Sequence, residues 1–414
     1  MKEQDHNSVS RRSFLGQTSA ALVAAASLPV LAVAQQTTNT HSSVNEQELG
    51  PKNPTLAAQA QDSVFPPVTD AGGQPPFKYP FALSHRRIES GGWTRQVTVR
   101  DFPMSKKMAG VEMRLISGGV RELHWHVSSE WAFMTAGSAR ITAVDHKGRA
   151  FVEDVKEGDL WLFPGGVPHS IQGLSENGCQ FLLVFDDGNF NEFETFLLTD
   201  WLHHTPGEVL AKNFGVPAST FDNVPPREKF IFPNELPRSL AEEKKQVYEA
   251  NGPVPNSYAF YASEMEPTKV TAGGSVKIVD RSNFPATGIA SAIVTLKPGG
   301  LRELHWHPNA DEWQYYVKGA GRMTVFAAGG HARTMDFQAG DVGYIDQSLP
   351  HYVENTGDAD LVFLEVFPAA EYQDISLAEW LAHTPSRLVN GHIGTGEDFL
   401  NKIVRKETII TPPK

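Results

Sequence analysis

The sequence predicts an all-β protein with a few helices, folded as two small antiparallel barrels in one chain. The hexapeptide Arg-Glu-Leu-His-Trp-His occurs twice, at residues 121–126 and 302–307. Short strand-like runs, separated by glycine and aspartate turns, follow each copy in the same order. A Trp-Leu pair and a Thr-Pro pair then close each half, at residues 201–206 and 380–385. This shared spacing indicates duplication of one fold unit.

The strands are predicted from alternating apolar residues and from the turns between them. A helix is expected near residues 196–202, and a partly helical connector follows at 207–270, with its helix near 240–250. The strands expected in the first half, besides the ligand strand, are 94–99, 111–116, 131–134, 139–144 and 160–163, and those in the second half are 290–296, 312–316, 322–325 and 342–345.

Each hexapeptide opens a candidate metal site. His124 and His126 share one face of a strand because side chains alternate with a period of two, whereas on a helix they would lie about 200° apart. Glu130 enters across the bend into the next strand, and His169 follows ten residues after a Gly-Asp turn, on a late strand of the barrel. The predicted ligands are therefore His124, His126, Glu130 and His169 in the first half, and His305, His307, Glu312 and His351 in the second.

Three imidazole nitrogens and one carboxylate oxygen form a mixed site that suits Mn, Fe, Ni, Co or Zn. On an octahedral ion, four protein ligands leave two adjacent positions for a bidentate substrate or for a substrate with dioxygen. A single strand histidine is usually structural, but six histidines and two glutamates in register twice indicate metal binding. The lone cysteine, Cys179, lies in an apparent core strand and allows no intrachain disulfide.

The chain of 414 residues has room for two domains, and its net charge of -12 argues against nucleic acid as a partner. The same charge repels anions at long range, so an anionic substrate would need local arginines. Arg121 and Arg302 stand three residues before the first histidine and face away from it in an ideal strand. A twist or bulge could turn them inward to hold a carboxylate. The alternative is a structural ion pair with Glu122 or Glu303.

The N-terminal residues are expected to direct export. Residues 10–15, Ser-Arg-Arg-Ser-Phe-Leu, form a twin-arginine motif, an apolar run follows, and Ala32-Val33-Ala34 is a small-x-small cleavage signal before Gln35. The run is too short and mild for a permanent membrane span. The predicted divisions are a signal peptide at 1–34, a flexible leader at 35–75, an N-terminal domain at 76–235 and a C-terminal domain at 236–414, in a periplasmic or secreted protein.

The two halves differ near the predicted sites. Glu365 in the second half corresponds to Leu183 in the first, so the first half lacks an inward carboxylate on this strand. The first half instead carries a loop three residues longer, with Glu192 and Glu194. A loop can close over a site and deliver a proton. The alternative is that both glutamates are solvated loop charges.

These residues resemble the bicupin oxalate decarboxylases, over roughly residues 81–404. The likeness rests on the doubled hexapeptide and on the runs Gly-Asp-Leu-Trp-Leu-Phe-Pro, Leu-Val-Phe-Asp-Asp-Gly and Glu-Trp-Gln-Tyr-Tyr. It implies two cupin barrels (double-stranded β-helix, or jelly-roll), one manganese ion in each, and conversion of oxalate to formate and carbon dioxide in the presence of dioxygen. It also implies a homo-oligomer, a trimer or hexamer.

The resemblance assigns the eight ligands named above to manganese, and Arg121 and Arg302 to the substrate. It makes Glu192 the proton donor of the first site and Glu365 the carboxylate of the second. The family's Ser-Glu-Asn-Ser loop here reads Asn-Glu-Phe-Glu at residues 191–194. Three alternatives stay open: oxalate oxidase on the same scaffold, another bicupin dioxygenase, and a seed-storage-like or sugar-binding bicupin with structural barrels.

Overall fold

The computed structural model describes residues 50, 51 and 53–413, apart from the side chain of residue 397. The predicted signal peptide and its cleavage point lie outside the described residues. Within them the helices are short: α1 (Pro54–Gln59), α2 (Gln61–Val64), α3 (Leu198–His203), α4 (Gly207–Phe214), α5 (Leu240–Val247), α6 (Leu377–Ala382), α7 (Ser386–Ile393) and α8 (Gly396–Lys402), with 3₁₀ turns at Phe81–Leu83, Glu192–Glu194 and Ala218–Phe221.

The strands supply most of the ordered structure. Those formed before residue 270 are β1 (Lys78–Pro80), β2 (Arg87–Glu89), β3 (Gly92–Val97), β4 (Ala109–Leu115), β5 (Gly119–Trp125), β6 (Glu130–Ala136), β7 (Ser138–Val144), β8 (Ala150–Lys156), β9 (Leu160–Phe163), β10 (His169–Gly173), β11 (Cys179–Phe185), β12 (Phe196–Leu197), β13 (Ile231–Pro233), β14 (Ala259–Phe260) and β15 (Lys269–Thr271). The later ones are β16 (Gly274–Val279), β17 (Ala290–Leu296), β18 (Leu301–Trp306), β19 (Glu312–Lys318), β20 (Ala320–Ala327), β21 (His331–Gln338), β22 (Asp341–Ile345), β23 (His351–Asn355), β24 (Leu361–Phe367), β25 (Ile375–Ser376) and β26 (Ile410–Thr411).

Each barrel consists of two antiparallel sheets, which confirms the predicted all-β duplication. The first barrel pairs the sheet β14-β9-β6-β11-β4-β3-β2 with the sheet β12-β5-β10-β7-β8, to which β13 adds at β5. The second barrel pairs β1-β22-β19-β24-β17-β16-β15 with β21-β20-β23-β18-β25, to which β26 adds at β18. The two strand orders match element for element, so each ligand strand, β5 or β18, lies at the same place in its barrel.

The barrels exchange one short strand each, across the predicted boundary between the two domains. β1, assigned by sequence to the N-terminal domain, pairs with β22 of the second barrel. β14, assigned to the C-terminal domain, pairs with β9 of the first barrel. Neither strand is longer than three residues. Strands this short show no alternation of apolar and polar residues that could indicate the barrel to which they belong. The exchange was therefore not predictable from the sequence pattern.

Among the described residues, the core consists of three large apolar clusters and a small one formed by Ala290, Ala310 and Phe367. One apolar cluster fills the first barrel and another fills the second. A third lies between the barrels, where Trp131 and Leu182 of the first barrel join Trp313 and Leu364 of the second. Side chains at alternate positions of β6 and β11 therefore serve different clusters. The packing between the two seven-stranded sheets holds the barrels together.

Part of the predicted leader, between residues 62 and 74, packs on the second barrel. Asp62 accepts two hydrogen bonds from the Arg322 guanidinium, at 2.9 and 3.0 Å. Asp70 accepts hydrogen bonds from the amide and hydroxyl of Thr334, at 2.9 and 2.6 Å. The composition of this segment indicates too few apolar residues for a core of its own. It does not reveal the charged and polar contacts that hold the segment on the second barrel. No helix in the described part is long and apolar enough to cross a membrane.

Candidate metal centres

The eight predicted ligands converge as two separate clusters, one inside each barrel. In each cluster the potential ligand atoms lie within 4.8 Å of one another, and all the side chains are buried. The members are His124, His126, Glu130 and His169 in the first cluster, and His305, His307, Glu312 and His351 in the second. The structure thus brings together every residue that the sequence predicted as a metal ligand.

Strand geometry explains the convergence in the first barrel. His124 lies on β5 and directly faces His169, the first residue of β10. Glu130 is the first residue of β6, directly after the turn that follows β5, as the sequence predicted. The His124 and His169 ring centroids are 4.2 Å apart, and those of His305 and His351 in the second barrel are also 4.2 Å apart. The same register therefore produces the same cluster twice.

Backbone carbonyls set the tautomer of the ligand imidazoles. The Nδ1 atoms of His124, His126 and His169 lie 2.7 Å from the carbonyl oxygens of residues 122, 128 and 167. A carbonyl only accepts, so each Nδ1 carries the proton and each Nε2 presents a lone pair. The Nδ1 atoms of the three histidines in the second barrel make equivalent contacts at 2.6 to 2.9 Å.

The donor atoms fit a divalent cation. Glu130 Oε2 lies 3.3 Å from both His126 Nε2 and His169 Nε2. His169 Nε2, His351 Nε2 and Glu312 Oε2 are buried atoms without a hydrogen-bond partner. Buried polar atoms without partners are costly, and a metal ion would satisfy them. These orphaned atoms support metal binding independently of the residue spacing.

The electrostatics of the first cluster favour the metal-binding protonation states of its ligands. Burial and the nearby Arg121 lower the pKa of His124 well below its usual value. Burial also lowers the pKa of His169. Burial alone would raise the pKa of Glu130, but the nearby imidazoles of His169 and His126 lower it overall. Neutral imidazoles and an ionised carboxylate are the forms that bind a metal.

A β-bulge turns the two arginines inward. Arg121 faces Ile171 and His124 faces His169, so three steps along β5 match two steps along β10. The same irregularity separates Arg302 from His305 in the second barrel. Because the bulge adds one residue between the arginine and the first histidine, their side chains lie on the same face of the strand although they are three residues apart. The predicted twist or bulge is confirmed, and both arginines are fully buried beside their clusters.

The alternative in which the arginines pair with their neighbouring glutamates is wrong. Glu122 accepts hydrogen bonds from the Thr199 hydroxyl at 2.6 Å and from the backbone N–H groups of Lys229 and Phe230 at 2.9 and 2.8 Å. Arg121 Nε instead donates to Glu192 Oε1 at 2.8 Å. The glutamate of the hexapeptide therefore anchors the following segments to the barrel.

Glu192 and Glu194 have different environments on the longer loop. Glu192 lies in the 3₁₀ turn 192–194, only 1% exposed, whereas Glu194 is exposed. Burial raises the pKa of Glu192, although the Arg121 charge opposes this effect. A raised pKa favours a carboxyl group that can hold and release a proton. The loop-charge alternative is therefore wrong for Glu192 and correct for Glu194.

In the second barrel the carboxylate beside the arginine comes from a strand. Glu365 is fully buried on β24, and its Oε1 accepts from Arg302 Nε at 3.1 Å. Burial raises its pKa, while the Arg302 charge opposes the rise. Leu183 holds the equivalent position on β11 and is also buried. The two barrels thus place a carboxyl group beside the arginine by different routes, as the sequence predicted.

Several residues of the sites were not predicted. Trp161 Nε1 donates to Glu130 Oε1 at 3.1 Å, while Gln314 Nε2 donates to Glu312 Oε1 at 2.6 Å in the second barrel. In each ligand glutamate this hydrogen bond occupies Oε1, so that Oε2 faces the other metal ligands. Residue 161 lies in a conspicuous Gly-Asp-Leu-Trp run, but its apolar neighbours indicate only a core strand.

Replacing Trp161 by phenylalanine is expected to weaken the binding of a divalent metal ion in the first barrel by about 10- to 100-fold, because Glu130 loses the group that orients it. Metal binding in the second barrel should not change. Trp131→Phe is a matched control, since Trp131 is also buried but its Nε1 has no hydrogen-bond partner. Titration of manganese into the metal-free variants measures the effect. Equal first-site affinities in Trp161→Phe and Trp131→Phe would contradict the assigned role.

The fold and the two sites define a protein with duplicated metal-binding barrels, and comparisons with known proteins place it in a family. The family model described as Cupin matches residues 82–221 and 260–395, one copy for each barrel. Each half is therefore a cupin domain. Through the relatives that follow, the chain belongs to the bicupin oxalate decarboxylase family of cupins.

The relatives match over most of their length. Oxalate decarboxylase OxdC of Bacillus subtilis is 52% identical over 365 residues, which cover 88% of this chain and 94% of that protein. An oxalate decarboxylase of Arthroderma benhamiae is 36% identical over 87% of this chain and 90% of its own length. The solved structure of the Bacillus subtilis enzyme at pH 4.6 has a TM-score of 0.86 and 51% identity, covering 89% of this chain and 96% of that one.

Proposed function

We propose that this protein decarboxylates oxalate to formate and carbon dioxide at the metal centre of its first barrel. One observation carries the proposal: the acid of the longer loop, Glu192, lies buried against Arg121 beside three histidines and a glutamate. This combination places a set of metal ligands, an anion-binding group and a proton carrier side by side. The likeness to named oxalate decarboxylases over most of the chain supports the substrate.

Manganese is the proposed ion in each barrel, with dioxygen as a catalytic cofactor. The donor set of three nitrogens and one oxygen suits manganese, as it suits iron or cobalt. A related solved structure is described in terms of the Mn(II) centres of Bacillus subtilis oxalate decarboxylase. The three histidines and the glutamate of each cluster would hold the ion, which would supply a reversible one-electron change.

Arg121 is proposed to bind and orient the substrate. Its Nε is paired with Glu192, its Nη2 donates to the Thr195 hydroxyl at 2.8 Å, and its buried Nη1 has no hydrogen-bond partner. A carboxylate of oxalate would satisfy this N–H group by a charge-assisted hydrogen bond. The phenyl rings of Phe185 and Phe190 pack near His126 and help to exclude water.

Glu192 is proposed to carry the proton. In the net reaction of hydrogen oxalate, the carbon–carbon bond breaks and one carboxylate leaves as carbon dioxide. A proton then arrives at the remaining carbon, and the product is formate. A buried carboxyl group with a raised pKa can take this proton from oxalate and return it to carbon. Failure to return it in time would favour oxidation to a second carbon dioxide with formation of peroxide.

We also propose that the protein is exported by the twin-arginine route and forms a homo-oligomer, a trimer or hexamer. The motif at Arg11-Arg12 supports export to the periplasm or beyond the cell. Large apolar side chains on both barrels support assembly, because Trp201 is 63% exposed and Trp380 is 55% exposed. Exposed aromatic residues of this size are typical of interfaces between protein subunits.

The function is tested by supplying oxalate to the manganese-loaded protein in air and measuring formate, carbon dioxide and hydrogen peroxide together. The proposal predicts formate and carbon dioxide in a ratio near one, with little peroxide. A preparation that forms peroxide and two carbon dioxide molecules without formate would identify an oxalate oxidase instead. Absence of any oxalate consumption by protein with two bound manganese ions would overturn both activities.

A further inference from the structure

The substrate-site arginine has different partners in the two barrels. Arg121 Nη2 donates to the hydroxyl of Thr195 at 2.8 Å, whereas Arg302 Nη2 donates to the carboxylate of Asp374 at 2.8 Å. Thr195 and Asp374 occupy the same place, because each directly precedes the two-residue strand, β12 or β25, that pairs with the ligand strand. The second barrel therefore has a carboxylate where the first has a neutral hydroxyl.

An aromatic residue reinforces this difference. Phe190 and Tyr372 each stand five residues after the end of β11 or β24, and each ring packs near the second histidine of its cluster. The Tyr372 hydroxyl accepts from Arg302 Nη2 at 2.7 Å and donates to Asp374 Oδ2 at 3.1 Å. Phe190 has no hydroxyl group to offer. The guanidinium of the second barrel is thus more fully occupied by the protein itself.

A second acid holds Asp374 in its ionised form. Glu407 donates a hydrogen bond to Asp374, and burial together with that neighbour raises the pKa of Glu407 to about 9. Burial would raise the pKa of Asp374, but the charge of Arg302 and the bond from Glu407 lower it to about 2. Both shifts favour a proton on Glu407 and a negative charge on Asp374.

The first barrel lacks this acid pair. The two residues after Glu407 donate backbone N–H hydrogen bonds to Glu303. The two residues after Glu228 donate to Glu122 in the same way. Glu407 and Glu228 therefore occupy equivalent positions in the two barrels. Glu228 nevertheless points outward and pairs with Arg87 at 2.7 Å. The second barrel is therefore built to keep an additional negative charge on its arginine.

This charge matters because both arginines otherwise offer the same open N–H group. Nη1 of Arg121 and Nη1 of Arg302 are each buried without a partner, so hydrogen-bond geometry alone would admit a carboxylate in either barrel. An extra anion a few ångströms away opposes a second anion strongly in a buried site. The two centres therefore differ in the charge that surrounds the arginine.

We propose that Asp374 closes the second metal centre to oxalate by neutralising Arg302, so that Asp374 in one barrel and Thr195 in the other decide where substrate binds. The inference rests on the proposed function, since it takes oxalate as the substrate. It predicts oxalate affinity at least about 100-fold weaker in the second barrel, the effect expected of one uncompensated charge at close range.

The test is calorimetric titration of oxalate into full-length, manganese-loaded protein without dioxygen, so that binding is measured without turnover. The native protein is expected to bind one oxalate per chain. Arg121→Ala should remove this event, and adding Asp374→Thr to that variant should restore one oxalate per chain through Arg302. Asp374→Asn, which keeps the size of the side chain but not its charge, should restore binding as well.

A reciprocal pair tests the same claim in the first barrel. Thr195→Asp should weaken oxalate binding about 100-fold with manganese still bound, whereas Thr195→Asn, which is similar in size but neutral, should bind within about 10-fold of native. This pair decides the question if the Asp374 variants do not fold. Equal affinities in Thr195→Asp and Thr195→Asn would overturn the proposal.

Binding of two oxalate molecules by the native protein would also overturn it, as would one oxalate bound at native affinity by Arg121→Ala. Folded Asp374 variants with full metal content that recover no binding would do the same. The formate assay separates the two levels of failure. A native protein that makes formate yet binds two oxalate molecules contradicts only the role of Asp374. A native protein that makes no formate contradicts the proposed function.

Discussion

Glu192→Ala is expected to lower the rate of formate production by about 100-fold or more, the usual contribution of a positioned acid or base. The reason is that Glu192 is the buried carboxyl group on the longer loop and directly contacts Arg121, 2.8 Å away. Oxalate consumed by this variant should yield relatively more peroxide, because the proton no longer returns to carbon in time. Formate and peroxide measured in the same reaction report both changes.

The control for this prediction lies two residues away. Glu194 belongs to the same 3₁₀ turn but is exposed to solvent. Glu194→Ala should therefore keep formate production within about twofold of native, and both variants should retain two manganese ions per chain. Native formate rates in Glu192→Ala would refute its assignment as the proton carrier, and equal losses in both variants would indicate a general effect of disturbing the loop.

Arg121→Ala is expected to reduce kcat/KM for oxalate by about 1000-fold, through loss of the buried guanidinium that holds a substrate carboxylate. The loss combines the missing charge with the Glu192 carboxylate that is left without its partner. Arg121→Lys should recover only part of the activity, because an ammonium group cannot reproduce the planar fork. Steady-state formate production measures the effect.

Arg114 supplies the matched control. It is only partly buried, and it donates to the carbonyl of Asn177 at 2.8 Å, away from the metal cluster. Arg114→Ala should leave kcat/KM within about twofold of native. A fall of less than tenfold in Arg121→Ala, with manganese content unchanged, would show that substrate binding depends on other groups.

The sequence was sufficient to predict the sites because their geometry depends on short, regular spacings. The His-x-His pair requires a strand, and the equal separation of Glu130 from His169 and of Glu312 from His351 fixes the same barrel register twice. The bulge could be proposed from the odd offset of Arg121, but only the strand pairing shows where the extra residue lies.

Features that depend on pairing between distant segments were not predictable in the same way. Strand exchange between the barrels involves β1 and β14, whose few residues carry no periodic signal. Asp62 of the leader binds Arg322, which lies 260 positions further along the chain. Asp374 looks like an ordinary loop carboxylate until its place relative to β25 is known. Such contacts depend on the tertiary fold rather than on local pattern.

The central claim is that each barrel independently binds one redox-active ion through three imidazoles and one carboxylate. Manganese per chain, measured in the native protein and in single-site variants, tests it most directly. The expected values are two for the native protein, one for His169→Ala, one for His351→Ala and none for the double variant. A native protein that binds no manganese, or single variants that still bind two ions per chain, would contradict the account.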